Sequence, residues 1–253
     1  MGPASSGLPT SGTAPTSTTP AEPPASLKFT PPAGAQRVNP REPVMVTATG
    51  GTLNSVQLTN DEGKAVSGVM TPDKLTWKPT DALGYGKTYT VSVNASNPRG
   101  TAVTQTSTFT TLNPSNQTKP YLTTTAGTPF ADGGTYGVGT VVVAHFDEKI
   151  TDRAAAEKTL SVTTNPPVTG SWSWVDAQNA HWRPEQYFQP GTKVTADAKV
   201  YGLDLGGGLY GQEDAHAAFT IGDSHVSIAD DKTKQVSVFE NGKLVRTMPT
   251  SMG

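Results

Sequence analysis

The sequence predicts an all-β protein of two β-sandwiches in tandem, followed by an incomplete β-hairpin from a third domain. Charged residues make up only 16% of the chain, whereas glycine (26 residues) and proline (21 residues) are abundant. Such a composition favours short strands joined by turns over helices. A pattern of strands and turns occurs twice along the chain, and a separate run of alternating apolar and polar residues follows the second copy.

Each copy of the repeat is centred on a tryptophan, a basic residue and a proline. These triplets are Trp77-Lys78-Pro79 and Trp182-Arg183-Pro184. A glycine stands nine residues after each tryptophan, as Gly86 and Gly191, and predicts a turn at the same place in both copies. We predict that each tryptophan is buried and fills the core of its own sandwich.

Strands are predicted at corresponding places in the two copies. They cover 43–47, 89–93 and 107–111 in the first copy and 140–144, 194–198 and 217–221 in the second. The most helix-like stretch is Asp152–Lys158, about two turns long. We predict sandwiches over 27–113 and 118–221, with a short linker at 113–118.

The two ends of the chain differ in character from the repeats. Residues 1–26 are rich in Ser, Thr, Pro, Ala and Gly, and predict a disordered linker. In residues 222–253, apolar residues alternate with polar ones at 226–228 and 236–238, and Asn241-Gly242 predicts a type I′ turn before a return strand at 244–248. We predict that this last segment is the beginning of another domain, because an isolated hairpin is only marginally stable in water.

Composition excludes several classes of function. The net charge of −2 offers no polycationic face for nucleic acid. The sequence also has no run of about 20 apolar residues, which is the length that a membrane-spanning helix needs. The sequence contains no cysteine, which excludes disulfides, thiolate metal sites and a cysteine nucleophile within these 253 residues. Since no signal peptide is visible, export requires a targeting segment upstream of Met1.

Four segments resemble mycobacterial-type L,D-transpeptidases. They are FTPPAGAQRVNPREPVMVTATGGTL at 29–53, ITDRAAAEKTLSVTTNPPV at 150–168, YGLDLGGGLYG at 201–211 and FTIGDSHVSIADD at 219–231. The resemblance implies a linker, two bacterial Ig-like domains, and the first hairpin of a YkuD catalytic domain at 222–253. It covers nearly all of residues 27–253.

The resemblance implies an exported, membrane- or lipid-anchored enzyme of the cell envelope that makes 3→3 cross-links between peptidoglycan stem peptides. In the family, a cysteine in a Ser-His-Gly-Cys motif attacks the donor peptide, and a histidine acts as the base. This chain has no cysteine, and His225 lies in Gly-Asp-Ser-His-Val instead. We therefore expect no catalytic residue, cofactor site or metal site in the chain, and no activity from it alone. Its role would be that of a semi-rigid spacer.

A second hypothesis is a stand-alone Ig-like module for adhesion or binding, in which the last hairpin joins a sheet of the second sandwich. Two motifs bear on binding functions. Gly206–Gly211 matches G-x-G-x-x-G, but the Ala/Phe/Thr strand after it favours a hairpin loop over a dinucleotide site. Trp172 and Trp174 lie on one face of a strand, and we expect core packing more than an exposed aromatic platform.

The remaining polar candidates have structural explanations that we favour. None of the four histidines, His145, His181, His216 and His225, has the close spacing of metal ligands. We expect His145 and His181 to pack at strand faces, because apolar strand residues flank them. Four acidic residues could form a carboxylate pair for glycoside hydrolysis, but strand chemistry explains them: Asp147, Glu148, Asp152 and Glu157. Asp230-Asp231 predicts a loop and not a Ca²⁺ site. Asn94 and Asn116 match a glycosylation acceptor that a bacterial source would leave unused.

Overall fold

The computed structural model describes residues 22–251, and it confirms the all-β fold. The described residues form two compact units. Unit 1 contains 22–35, 43–81 and 89–109, and unit 2 contains 36–42, 82–88 and 110–251. Most of the predicted linker at 1–26 lies outside the described residues, and the predicted domain boundaries stay predictions.

Unit 1 is built from two four-stranded sheets. Its strands are β1 (Ser26–Thr30), β2 (Met45–Thr49), β3 (Thr52–Asn60), β4 (Ala65–Val66), β5 (Gly68–Met70), β6 (Thr76–Pro79), β7 (Thr88–Ser96) and β8 (Ala102–Thr110). One sheet has the order β1-β2-β6-β5 and the other β4-β3-β7-β8. Alternate residues of β7 are buried, as expected for a strand with one face on a core. The tryptophan of the repeat, Trp77, is buried as predicted, and Tyr89 stacks on Phe109 with ring centroids 5.5 Å apart.

Unit 2 contains the second sandwich. Its elements are β9 (Asn116–Thr118), β10 (Pro120–Thr123), β11 (Gly134–Tyr136), β12 (Val142–Phe146), α1 (Arg153–Glu157), β13 (Leu160–Asn165), β14 (Gly170–Trp174), β15 (Asn179–Pro184), β16 (Lys193–Ala198), β17 (Leu209–Gly211) and β18 (Ala215–Ile221). Two four-stranded sheets have the orders β10-β12-β15-β14 and β11-β18-β16-β13, and β9 pairs with β17 in a smaller sheet. The most helix-like stretch of the sequence contains α1, which at 5 residues is shorter than the two turns expected, and Asp152 accepts a hydrogen bond from the Ala155 N–H at 2.9 Å as its N-cap.

The core of the second sandwich lies between its two four-stranded sheets. Trp182 is only 5% exposed and stacks on Phe188, with ring centroids 6.0 Å apart. Phe130 stacks on Phe219 at 4.4 Å in the same cluster. The prediction of a buried tryptophan is therefore confirmed in this copy as well.

A glycine beneath the tryptophan ring occurs in both copies, and the sequence repeat did not reveal it. In unit 1, Gly68 pairs with Pro79, and a Cβ on Gly68 would lie 2.1 Å from the Trp77 ring. In unit 2, Gly170 pairs with Pro184, and a Cβ on Gly170 would lie 2.3 Å from the Trp182 ring. Real side chains do not approach so closely, so each indole ring occupies the space that a side chain would need. In each sandwich the tryptophan ring therefore packs directly against the backbone of a glycine.

Unit 2 also includes residues 82–88. Tyr85 in this segment makes hydrogen bonds to residues that follow β16. The Tyr85 hydroxyl donates to the carbonyl of Gly211 at 2.7 Å and accepts from the N–H of Gly202 at 2.8 Å. Its ring lies 5.1 Å from that of Tyr201. Burial raises the pKa of Tyr85 above its ordinary value of 10.0, so the hydroxyl stays protonated and keeps both hydrogen bonds.

The last described segment forms a three-stranded antiparallel sheet. Its strands are β19 (His225–Asp230), β20 (Gln235–Glu240) and β21 (Lys243–Pro249), and within residues 22–251 they pair with one another in the order β19-β20-β21. Asn241 and Gly242 have φ of 48° and 79°, which confirms the predicted turn with positive φ at both central residues. Three apolar side chains of this sheet are about half exposed, namely Ile228, Leu244 and Val245.

Candidate functional site

The outward face of the β10-β12-β15-β14 sheet carries a polar groove with a volume of about 410 Å³. Strand alternation buries Ala144 and Ala180 on the inner face and turns His145, Asn179 and His181 outward. The walls are formed by the turn after β10 and by the turn between β14 and β15. Ten residues line the groove: Thr123, Thr124, Thr125, Gly127, Val143, His145, Val175, Asp176, Asn179 and His181.

A chain of hydrogen bonds fixes the polar groups on one side of the groove. The Asn179 Nδ2 donates to Asp176 Oδ1 at 3.0 Å and to Oδ2 at 2.9 Å, because a carboxylate only accepts. The Asn179 Oδ1 therefore faces His145 Nδ1, 2.9 Å away. This oxygen needs a donor, so Nδ1 carries a proton, and Nε2 is the acceptor in the neutral ring. The tautomer of His145 thus follows from the charge of Asp176, two residues along the relay.

Asp176 also organises the turn that it belongs to. Its Oδ1 accepts from the backbone N–H of Gln178 at 2.7 Å and of Asn179 at 2.8 Å. The Gln178 N–H bond and the Asn179 side chain hold the pKa of Asp176 below its ordinary value of 3.8. The carboxylate is therefore charged throughout the neutral range, although it is well exposed.

His181 lies diagonally across the groove from His145, since Val143 pairs with His181 and His145 pairs with Asn179. Burial lowers the pKa of His181 below 6.5, and the positive charge of Arg183 lowers it further. We expect the NMR titration midpoint of the His181 ring to fall below 6.5 in the folded chain, and to return toward 6.5 in denaturant. A folded-state midpoint at or above 6.5 would contradict this environment.

The same shift predicts how stability responds to acid. The unfolded chain binds a proton at this position before the folded chain does, so acid favours unfolding. The stability from neutral His181 is complete above about pH 6.5 and is lost as the pH falls through the folded-state pKa. Replacing His181 with Gln, a neutral side chain of similar reach, is expected to reduce the slope of stability against pH in that window, as urea unfolding at several pH values would measure.

The paired tryptophans share one face of β14, as predicted, and both are partly buried against the core. Trp174 stacks on Phe146 with centroids 5.9 Å apart, and its Nε1 donates to Glu157 at 3.3 Å. Trp172 pairs with Trp182 across the strands and lines a shallower hollow beside α1. The structure therefore agrees with the core packing that we favoured, and leaves each ring an exposed edge.

Three of the four acidic residues put forward for glycoside hydrolysis have a carboxylate that accepts a local hydrogen bond, namely Asp147, Asp152 and Glu157. Asp147 accepts from the Thr118 hydroxyl and the Lys119 N–H, both at 2.8 Å. Asp152 caps α1, and Glu157 accepts from Trp174. Asp230 lies at a turn, where it accepts from the Lys232 N–H at 2.8 Å, in agreement with the predicted loop.

The glycine-rich motif forms a turn, as predicted. Gly206, Gly207 and Gly208 all have positive φ, and the Leu205 N–H donates to the Leu209 carbonyl across the turn at 2.7 Å. Strand β17 follows where a dinucleotide site needs a helix. The turn thus leads into β17, with an isolated antiparallel bridge between Asp204 and Tyr210 across it, while β17 itself pairs in parallel with β9.

The other polar candidates are dispersed. His216, on β18, forms a hydrogen bond with Asp197 at 2.8 Å, and His225 is exposed on β19. Asn94 bonds to Asn54 and Thr104 on the outer face of unit 1, while Asn116 begins β9. Over the described range 22–251, no three His, Cys, Asp or Glu side chains group closely enough to hold a metal ion. None of the helices in that range is long and apolar enough to cross a membrane.

The groove was not predicted as a site, although two of its histidines were placed correctly on strand faces. His145 stands in an otherwise apolar strand, and His181 stands between Ala180 and Trp182, and this was the available signal. Sequence spacing does not show that β12 and β15 are neighbours, nor that the turn at Asp176 folds back toward them. These two facts bring the groove residues together.

Residues 35–204 match a family described as the bacterial Ig domain. The match spans more than half of the chain, and the chain belongs to this bacterial Ig domain family. Its relatives include L,D-transpeptidase 2 of Mycobacterium tuberculosis (strain CDC 1551 / Oshkosh), which is 44% identical over 220 residues, or 87% of this chain and 52% of that protein. L,D-transpeptidase 5 of Mycobacterium tuberculosis (strain ATCC 25618 / H37Rv) is 40% identical over 236 residues, or 91% of this chain and 51% of that protein.

The resemblance to mycobacterial-type L,D-transpeptidases is thereby confirmed over most of the chain. Among solved structures, an LD transpeptidase in complex with imipenem is 27% identical, with a TM-score of 0.40, and the likeness covers 51% of this chain and 52% of that chain. The chain spans about half the length of the curated relatives that it matches.

Proposed function

We propose that this chain is the non-catalytic spacer region of an exported L,D-transpeptidase that makes 3→3 cross-links between peptidoglycan stem peptides. The observation that carries the proposal is 44% identity over 87% of the chain to a named L,D-transpeptidase, together with the absence of any cysteine from these residues. The two sandwiches would hold the catalytic domain within the peptidoglycan layer of the cell envelope.

The chemistry that the family resemblance implies needs a thiolate. Attack on a peptide carbonyl requires a nucleophile, a base beside it and donors for the developing oxyanion. His225 offers a base-like side chain at an exposed position of β19, but no thiol of these 253 residues can lie beside it. The nucleophilic cysteine and its Ser-His-Gly-Cys motif would therefore have to come from residues other than these 253.

We expect this chain alone to show no turnover of a donor stem peptide. The assay would follow release of the donor's fourth residue and formation of the cross-linked product by mass spectrometry, with a mycobacterial L,D-transpeptidase as the active reference. Rates should equal those of the substrate without protein, because no group in the chain can form the thioester intermediate. Turnover above that background that increases with the concentration of the chain would overturn the claim that it is non-catalytic.

We further propose that β19, β20 and β21 are the edge of the catalytic, YkuD-like domain. Their pairing with one another, and the half-exposed Ile228, Leu244 and Val245, support a sheet that packs against additional chain. In the alternative function, an adhesion module, these strands would extend a sheet of the second sandwich, and the pairing gives that arrangement no support.

Hydrogen exchange of the backbone amides of this chain would test the assignment. Amides at 236–245 should exchange orders of magnitude faster than those of β16, because a three-stranded sheet with an open apolar face is a low-stability unit. Protection of 236–245 equal to that of β16 would favour the adhesion module instead.

A further inference from the structure

We propose that the groove on the outward face of the β10-β12-β15-β14 sheet is a carbohydrate site that binds an N-acetylated sugar. The volume of about 410 Å³ lies within the range of about 300–1,000 Å³ that small-molecule sites occupy. The groove opens at the surface of a single sheet, so a ring within a longer chain can enter without threading. The choice of the peptidoglycan glycan strand as the source of this sugar rests on the proposed function.

The charges of the groove disfavour an anionic ligand. No lysine or arginine is among its lining residues, and Asp176 contributes a permanent negative charge. Phosphate and carboxylate groups are ordinarily held by cationic side chains or by helix N-termini. A neutral ligand avoids repulsion by Asp176 and needs no counter-ion.

The hydrogen-bonding groups suit a ligand that both donates and accepts. Asp176 Oδ1 already accepts from three nitrogens, whereas Oδ2 accepts from the Asn179 amide and keeps capacity for a ligand N–H or O–H. With Nδ1 donating to Asn179, the neutral form of the His145 ring presents Nε2 as an acceptor, and the hydroxyls of Thr123–Thr125 can both donate and accept. An acetamido group has one N–H and one carbonyl, and sugar hydroxyls supply the remaining partners.

Apolar side chains form a strip beside these polar groups. Val175 is 65% exposed at the rim, whereas Val143, between the two histidines, is buried. Tyr121 is not one of the lining residues, but it pairs with His145, is 39% exposed, and has its ring centroid 6.2 Å from the imidazole. The C–H face of a pyranose ring and the methyl of an acetamido group are apolar surfaces that can cover such a strip. A mixture of few oriented polar groups with exposed apolar surface is typical of ligand sites.

The arrangement is preorganised. The relay from Asp176 through Asn179 fixes the His145 ring, and three backbone and side-chain donors fix Asp176. Little rotamer freedom is therefore lost when a ligand binds, which reduces the entropic cost of association.

An NMR titration of the full chain with chitotetraose tests the proposal. We expect saturable shifts confined to the groove residues, with a Kd of about 1 mM, the order reached by a few hydrogen bonds at an open site. Cellotetraose, which lacks the acetamido group, should bind at least about 10-fold more weakly. A soluble stem peptide should leave the groove signals unchanged. Absence of saturable groove shifts with chitotetraose overturns the site, and equal binding of cellotetraose overturns the acetamido specificity.

Two variants locate the binding. His145→Ala removes the fixed imidazole, and Val175→Arg places a long cationic side chain over the rim from an exposed position that does not enter the core. Each is expected to weaken chitotetraose binding at least about 10-fold while the other amide signals stay in place. The matched control is His216→Ala, since His216 is an exposed histidine on the opposite sheet whose Nδ1 also has a side-chain partner, Asp197, and the affinity of this variant should equal that of the unmodified chain. The sugar site would be contradicted if His216→Ala weakened chitotetraose binding as much as the groove variants do. It would also be contradicted if the stem peptide shifted the groove signals more than chitotetraose does.

The outcome is separable from that of the proposed function. Chitotetraose binding by a chain that itself turns over stem peptides would leave the groove intact and overturn the spacer role. If chitotetraose causes no saturable shifts and the chain turns over no stem peptide, the sugar site is overturned and the spacer role stays supported.

Discussion

Trp182→Ala is expected to lower the free energy of unfolding of the second sandwich by about 3–5 kcal/mol, the cost of removing a large aromatic side chain from a packed core. The side chain is 5% exposed, packs against Phe188 and belongs to the cluster that fills the space between the two sheets. Its neighbours Val142 and Ala180 sit on strands held by ladder hydrogen bonds, so the cavity can collapse only in part.

The control for this prediction is Tyr187→Ala. Tyr187 is an aromatic residue five positions further along the chain, yet it is 71% exposed. Its truncation should change stability by no more than about 0.5 kcal/mol. Urea unfolding followed by far-ultraviolet circular dichroism avoids reliance on tryptophan fluorescence, which the substitution itself removes. Similar losses for the two variants would show that Trp182 does not anchor the core.

Gly68→Ala is expected to destabilise unit 1 by about 1–3 kcal/mol, the usual cost of overpacking. The added Cβ would lie 2.1 Å from the Trp77 ring, and the three nearest atoms all belong to that one side chain. The ring must therefore leave its place or the strands must separate. No positive φ is involved at this glycine, so the effect is steric and not conformational.

A double-mutant cycle isolates the contact. In a Trp77→Leu background the methyl group has room, so Gly68→Ala should cost less there by about 1 kcal/mol or more. Gly137→Ala is the matched control, since nothing lies within 4 Å of its added Cβ and its φ is not positive. Additive costs of Gly68→Ala and Trp77→Leu would argue that the glycine is not required by the ring.

The sequence predicted the architecture well because the signals for it are local. Alternation of apolar residues placed β7, β16 and β18 close to their observed bounds. Asn241-Gly242 specified a turn through the positive φ that both residues adopt. Asp152–Lys158 was the most helix-like stretch of the sequence, and α1 lies within it.

What escaped prediction depends on the pairing of distant strands. Asp176 and His145 are thirty-one positions apart in sequence, and only the adjacency of β12 and β15 brings them to opposite ends of one relay. Gly68 and Gly170 belong to the repeat as much as the tryptophans do, but they stand at different distances from them, because the connecting turns differ in length. A repeat in space can therefore be more regular than the repeat in sequence.

The glycine beneath each tryptophan has a consequence for the history of the chain. A glycine lies beneath the tryptophan across the same strand pair, with a proline opposite the glycine in both copies. Tandem duplication of one ancestral sandwich would account for this coincidence. Whatever its origin, a substitution studied in one copy has a defined counterpart in the other, within one polypeptide.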